Sequence, residues 1–343
     1  MRYIGSKILL LNQIQSVVER HASGAKTFCD LFSGSACVAR HFKQFFEVYS
    51  NDILYFSYCL QRGSVENDSV PTFDNLTKKK GFSSPIDYLN NLHNNEMEAL
   101  DKDCRLFQTN LSPSAGRMYV TDENALRIDF ARNSIEQWKS QGLLSDDEYY
   151  YLVASVIEGI PFISNIAGTY GAFYKTWDRR ALKKFELKTI PVVSNFKNNK
   201  SYNENGIELL TKISGDVLYI DPPYNQRQYL PNYHVLETAA KYDFPKLHGV
   251  TGLRDYEKEK SDFCLSKKVS IAFDKLMNTA QFSHIIMSYS TDGLMSEKEI
   301  EEIMKRHGNP DTFELIEIPY RRYKCRTGAK KPNLNELLFY ISK

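Results

Sequence analysis

Apolar residues Ile8, Leu11, Ile14, Val17 and Val18 fall on one helical stripe, which predicts an amphipathic helix after the tag Tyr3-Ile4-Gly5-Ser6-Lys7. Thr27 to Phe32 reads as a strand that ends in Ser33-Gly34-Ser35, and Ala36 to Phe46 then reads as a helix. A second short strand, Glu47 to Ser50, closes on Asn51-Asp52. Strand, small-residue loop, helix, strand and acid in that order make half of a doubly wound sheet. From about Leu60 to Asn110 the pattern weakens into polar sequence with Lys78-Lys79-Lys80 and Pro85, as expected of an insertion. Two helices follow, one over Thr121 to Ser140 and one opened by the capping box Ser145-x-x-Glu148. Regular α/β order returns with the buried-type strand Asp216 to Ile220 and another over Phe282 to Ser288. A helix from the capping box at Ser296 and Glu299 stops at Gly308, before closing strands over Thr312 to Tyr320 and Glu336 to Ile341. The expected fold is α/β: a Rossmann-like sheet with helices on both faces and an inserted, mostly helical or irregular region. The sheet domain is expected over 1–60 and 200–343, and the insertion over 61–199.

Composition narrows the class only a little. The 343 residues, 42% hydrophobic and 25% charged, are those of a globular protein of about two domains. No apolar run approaches the roughly 20 residues of a membrane span, and none reads as a signal peptide, so a cytoplasmic location without membrane contact is expected. The six cysteines contain no Cys-x-x-Cys pair, which fits reduced thiols. A net charge of +2 neither argues for nor excludes nucleic acid, so local clustering has to decide.

The sharpest chemical signal is Asp221-Pro222-Pro223-Tyr224, at the carboxyl end of a predicted buried strand, where ligands bind in open α/β sheets. The exocyclic amino group of adenine is a poor nucleophile because its lone pair is delocalised into the ring. Asp221 and the carbonyl of Pro222 each offer an acceptor for one N–H, which aims the lone pair outward, and Tyr224 offers a face for an extruded base. A plain turn is the competing reading, since Asp and Pro are common in turns. Arg227, Gln228, Tyr229, Asn232, Tyr233 and His234 follow, with long hydrogen-bonding and aromatic side chains that a turn does not need. The second signal is Asp30-Leu31-Phe32-Ser33-Gly34-Ser35 with Asp52 beyond it, which suits backbone approach to a ligand and an acid on ribose hydroxyls. The loop lacks Gly-x-Gly-x-x-Gly and therefore a pyrophosphate cradle, so an adenosyl ligand without phosphates fits better.

Taken in order, the tag at Tyr3 to Lys7, the loop at Asp30 to Ser35, Asn51-Asp52 and Asp221 to Tyr224 resemble the S-adenosylmethionine-dependent DNA adenine-N6 methyltransferases, alpha group. The string from Asp221 to Glu237 is similar to a branch from restriction-modification systems, which implies a short palindromic target such as a CATG-type site. The resemblance covers roughly 1–60 and 160–343. It implies that Tyr3, Gly5 and Lys7 line the pocket of S-adenosylmethionine, with Lys7 reaching toward the catalytic loop. Asp30 would hold the methionine ammonium, Phe32 and Ser33, Gly34 and Ser35 would wrap the cofactor, and Asp52 would take the ribose. Asn205 stands where an adenine-reading Asp is expected. The partner implied is duplex DNA, with a restriction endonuclease acting on the same site without a stable complex.

Two charged runs suit a DNA footprint. Asn165 to Lys188 carries Lys175, Arg179, Arg180 and three further lysines beside Tyr170, Phe173, Tyr174 and Trp177. Arg321, Arg322, Lys324 and Arg326 lie next to a closing strand. The bland alternative for each run is a solvated face. Asn165, Tyr170, Lys175, Arg179, Arg180 and the four basic residues at 321–326 are the expected DNA contacts, together with Arg227, Gln228, Tyr229, Asn232, Tyr233 and His234. Cytosine-ring methylation is disfavoured because no Cys follows Pro, and His/Cys spacing indicates no metal. An RNA adenine methyltransferase, or a silent DNA-binding protein on the same fold, remain the alternatives.

Overall fold

The computed structural model describes residues 5–320 and 334–343. Seven strands form one sheet in the order β3-β2-β1-β4-β5-β7-β6. They are β1 (Thr27–Asp30), β2 (Glu47–Asn51), β3 (Lys200–Tyr202), β4 (Gly215–Ile220), β5 (Phe282–Ser290), β6 (Glu314–Tyr320) and β7 (Leu334–Ser342). The first five in spatial order run parallel, and β7 is antiparallel to both β5 and β6. This is the expected α/β class, a Rossmann-like sheet with helices on both faces. The chain reverses its winding between neighbouring β1 and β4, which is where a doubly wound sheet opens a crevice at its carboxyl edge.

Strand alternation sorts the core. Phe28, Val217, Ile286 and Leu338 face one side, where helices α1 (Leu11–His21) and α2 (Cys37–Phe42) cover them. Cys29, Leu218, Ile285 and Leu337 face the other, under helices α12 (Val269–Thr279) and α13 (Glu297–His307). Both faces being covered explains why β4 and β5 read as continuous apolar runs.

The third core is helical. It joins α3 (Tyr55–Gln61), α8 (Asp122–Ser140), α9 (Asp146–Gly159) and α11 (Tyr229–Lys241). Between α3 and α8 the chain makes four short helices, α4 (Asp74–Lys80), α5 (Pro85–Asn90), α6 (Asn94–Glu98) and α7 (Leu106–Asn110), where sequence showed only a weakened pattern. Because α3 and α11 belong to this core, the expected insertion shares its core with two helices that lie almost wholly outside 61–199. The edge strand β3 and helix α10 (Gly206–Leu209) are too short for a periodic signature, whereas α12 carries Val269, Ala272, Phe273, Leu276 and Met277 on one stripe that the sequence reading passed over.

Candidate active site

One cavity at the carboxyl edge of the sheet takes in both sequence signals: Asp30, the Ser33-Gly34-Ser35 loop, Asp52, Asn205 and Asp221 all line it, with Gly5, Lys7 and Phe32. The loop after β1 is tight, with left-handed backbone at Gly34 and Ala36. Gly34 donates its N–H to Asp52 Oδ2 at 2.8 Å, and Leu54 donates to Asp52 Oδ1 at 2.9 Å, so the second acid fastens the first loop. Burial pushes the Asp52 carboxyl up to about 6, against the hydrogen bonds it accepts.

Asp30 is the most telling residue for a ligand. Its Oδ2 accepts the Ala39 N–H at 3.0 Å, while its Oδ1 is buried without a hydrogen-bond partner. Burial, reinforced by Asp221 and Asp52, pushes this carboxyl up to about 7. A buried, unpaired carboxylate oxygen is costly, and a cationic ligand group would supply what it lacks.

Asp221 follows β4 directly and meets Lys7 Nζ at 3.2 Å. Lys7 is buried and also donates to Glu336 on β7, so one ammonium joins two carboxylates. Burial works against the Lys7 charge, but Asp221 and Glu336 outweigh it and hold the ammonium protonated. Burial pushes Asp221 up to about 7; Lys7 opposes the shift and Glu336 adds to it. The adjacent Pro222 is buried and Pro223 half-buried. Tyr224 is half-buried, with Lys7 Nζ 5.9 Å from its ring centre and Tyr289 edge-on at 6.3 Å, so its ring orientation is supported from two sides.

The remaining expected contacts divide. Arg227, Lys175 and Arg179 are exposed, and Arg180 is half-buried and held on Asp178 by two bonds at 3.1 Å. Tyr229 is half-buried with its hydroxyl beside Gly5, and Asn232 is half-buried with its carbonyl accepting from Tyr170 N at 2.8 Å. Asn205 caps α10, its Oδ1 accepting from Ile207 N at 3.0 Å. Gln228 pairs with the backbone of Ser261.

Four expected DNA contacts are corrected. Tyr233, His234, Tyr170 and Asn165 are buried, and their side chains serve the interior. His234 Nε2 lies 2.9 Å from the Tyr170 carbonyl, and Tyr119 Oη lies 3.0 Å from the Thr251 carbonyl, tying three loops together. Burial lowers the His234 pKa to about 4, so the ring is neutral and Nε2–H donates to that carbonyl. Asn165 accepts from Asp178 N at 2.9 Å and donates to the Tyr174 carbonyl at 3.0 Å, which shapes the basic segment instead of touching a ligand. Their polarity read as surface, but α11 is packed on all sides, with Tyr233 tilted against Phe56. Tyr3, Arg321, Arg322, Lys324 and Arg326 lie outside the described residues.

One residue and one segment escaped sequence reasoning. Glu336 sits in a closing strand with no local motif, and the segment 257–264, part of which lines the cavity, opens with an unbroken charged and polar run that reads as a solvated loop.

A family model for the D12 class of N6 adenine-specific DNA methyltransferases matches residues 3–303. The chain is 48% identical over 347 residues to the type II methyltransferase M.FokI of Planomicrobium okeanokoites, covering 100% of this chain and 53% of that protein. It is 43% identical over 344 residues to the modification methylase StsI of Streptococcus sanguinis, covering 100% of this chain and 52% of that one. It thus spans about half the length of these two relatives. Against the type II methyltransferase M.NlaIII of Neisseria lactamica it is 35% identical over 347 residues, covering 99% of this chain and 98% of that protein.

Proposed function

The chain belongs to the D12 class of N6 adenine-specific DNA methyltransferases, and from that premise we propose that it methylates the N6 amino group of an adenine flipped out of duplex DNA, using S-adenosylmethionine. It acts as the modification half of a restriction-modification system, alongside an endonuclease that reads the same site. The observation that carries this reading is that Asp30, with its unpaired buried oxygen, and Asp221 line one cavity.

The residues fit the cofactor. Asp30 Oδ1 takes the ammonium of its methionine portion, and Asp52, already fixed by Gly34 and Leu54, offers its remaining lone pairs to the ribose. Phe32 and the Ser33 to Ser35 backbone close around it, and Asn205 sits at the mouth of α10. When bound, S-adenosylmethionine supplies a methyl group on a positively charged sulfur.

The protein's own contribution is alignment. Asp221, ionised, accepts one N–H of the target amino group, with the Pro222 carbonyl as second acceptor, and the nitrogen lone pair is drawn out of the ring toward the methyl donor. Lys7 fixes the Asp221 carboxylate by its contact at 3.2 Å, and Tyr224 supplies the stacking face. Flipping is required because the amino group is otherwise paired inside the duplex. The basic segment with exposed Lys175 and Arg179 belongs to a target-recognition region over 61–199 and meets phosphates.

The test is Asp221→Ala. Methyl transfer to DNA is abolished while S-adenosylhomocysteine still binds with affinity within a few-fold of the parent. Equal loss of both would overturn the role of Asp221, and intact transfer would overturn the mechanism.

A further inference from the structure

Gln228 stands four residues beyond Tyr224, immediately before α11. Its side-chain amide makes a reciprocal pair with the main chain of Ser261: Nε2 donates to the Ser261 carbonyl at 3.0 Å, and Oε1 accepts from Ser261 N at 2.8 Å. An Asn/Gln amide engaged on both sides in this way is fixed in one orientation and holds one backbone geometry of its partner, although one N–H and one lone pair stay open. Cys264 Sγ adds a contact at 3.4 Å to the Arg227 carbonyl, so the segment 257–264, a strap over the cavity, meets the loop after β4 at the adjacent residues Arg227 and Gln228.

The same strap reaches the cofactor side. Phe263 is buried and packs edge-on to Phe32 at 5.4 Å between ring centres, and Phe32 opens the Ser33-Gly34-Ser35 loop. Ser261, Asp262 and Phe263 line the cavity with Asp30 and Asp221. At the far end of α11, Lys241 holds Glu259 at 2.9 Å. The strap is therefore tied to α11 twice and leans on the loop that surrounds the cavity.

We propose that Gln228 is a positioning residue for the cofactor pocket, clamping the strap 257–264 across it, and is not a DNA contact. This rests on the proposed reading that the cavity takes S-adenosylmethionine. Because the clamp springs from the loop that also carries Asp221 and Tyr224, it sets the strap and the base pocket in one frame.

The experiment compares the parent with Gln228→Ala and Gln228→Glu by calorimetric binding of S-adenosylhomocysteine, by cofactor-free binding to duplex DNA, and by amide hydrogen exchange. Loss of two hydrogen bonds in Gln228→Ala is expected to weaken S-adenosylhomocysteine by about tenfold or more. Exchange rises within 257–264 while α1 and α8 stay protected, and DNA affinity is unchanged. Gln228→Glu keeps the acceptor for Ser261 N–H but sets a carboxylate oxygen against the Ser261 carbonyl, so it is expected to weaken S-adenosylhomocysteine at least as much as Gln228→Ala, and it keeps the test open if the alanine variant is poorly folded. DNA affinity lost with S-adenosylhomocysteine affinity retained would overturn the assignment in favour of a DNA contact. A parent protein that binds no S-adenosylhomocysteine would overturn the proposed function and this assignment with it.

Discussion

Glu336→Gln isolates the charge balance behind the catalytic loop. Asp221 and Glu336 both contact the Lys7 ammonium, so the contacted oxygens lie within roughly 6 Å of each other. Two charges at that distance repel by about 3 kcal/mol at an effective dielectric near 20, which corresponds to about two pK units. Removing the Glu336 charge also leaves Lys7 to Asp221 alone, and both effects pull Asp221 down from about 7. Asp221 is a much stronger acceptor for the N–H when ionised, so kcat/KM, which reports the free enzyme, falls on the acid side of that value. Asp30 titrates in the same range and is coupled to Asp221, so the profile gives apparent values for the pair. The assay is kcat/KM for the cofactor from roughly pH 5.5 to 9, with carbon-13 shifts of labelled Asp carboxylates in the cofactor-free protein as a direct check. The Gln variant is predicted to move the lower limb by about one to two units toward acid. A limb that stays within about 0.3 unit of the parent, in a folded variant, would refute the claim that Glu336 tunes Asp221.

Asp30→Asn tests the other buried acid. The folded carboxyl keeps its proton up to about pH 7 and the unfolded one releases it near 3.8, so ionising Asp30 costs stability progressively as pH rises between those values. The Asn variant is predicted to melt higher than the parent at pH 8, by at most about 4 kcal/mol equivalent, to lose that advantage near pH 4, and to lose S-adenosylhomocysteine affinity at pH 8, where the parent carboxyl is ionised; an unchanged affinity in calorimetry at pH 8 would remove Asp30 from the ammonium site. Lys175→Ala and Arg179→Ala should each lower the slope of log affinity for DNA against log salt by about one, and a parallel slope would place these side chains off the phosphates. His234→Ala should instead lower thermal stability by about 1–3 kcal/mol, by emptying a buried site and removing one of the two donors, His234 and Tyr119, that the Tyr170 carbonyl accepts from, with the salt slope unchanged; an altered slope at full stability would return His234 to the DNA surface.

Much of the sheet was legible because its strands are short apolar runs closed by acids, glycines or prolines. Asp30, Asp52 and Asp221 were legible for the same reason: each ends a strand or opens the loop beyond one, and the winding of the sheet brings such ends to one edge. Glu336 was not, because its partner Lys7 is 329 residues away and nothing local marks a buried ion pair. Tyr233 and His234 misled because a polar string after Tyr224 looks like a binding loop, whereas α11 is buried against Tyr119 and Phe56 and His234 Nε2 finds its partner inside, at the Tyr170 carbonyl. Gln228 was picked out as an exposed hydrogen-bonding side chain, and only the fold reveals that its partner lies 33 residues on. The helices between α3 and α8 are too short to show a periodic stripe, and they exist by packing on one shared core.

The most direct measurement is transfer of labelled methyl from S-adenosylmethionine to unmethylated duplex DNA, with an RNA control, followed by digestion and identification of the labelled nucleoside. The account predicts label in N6-methyl-2′-deoxyadenosine, absent from the RNA and abolished by Asp221→Ala. Label in RNA alone, label on a cytosine, or no transfer by a protein that binds S-adenosylhomocysteine would contradict it.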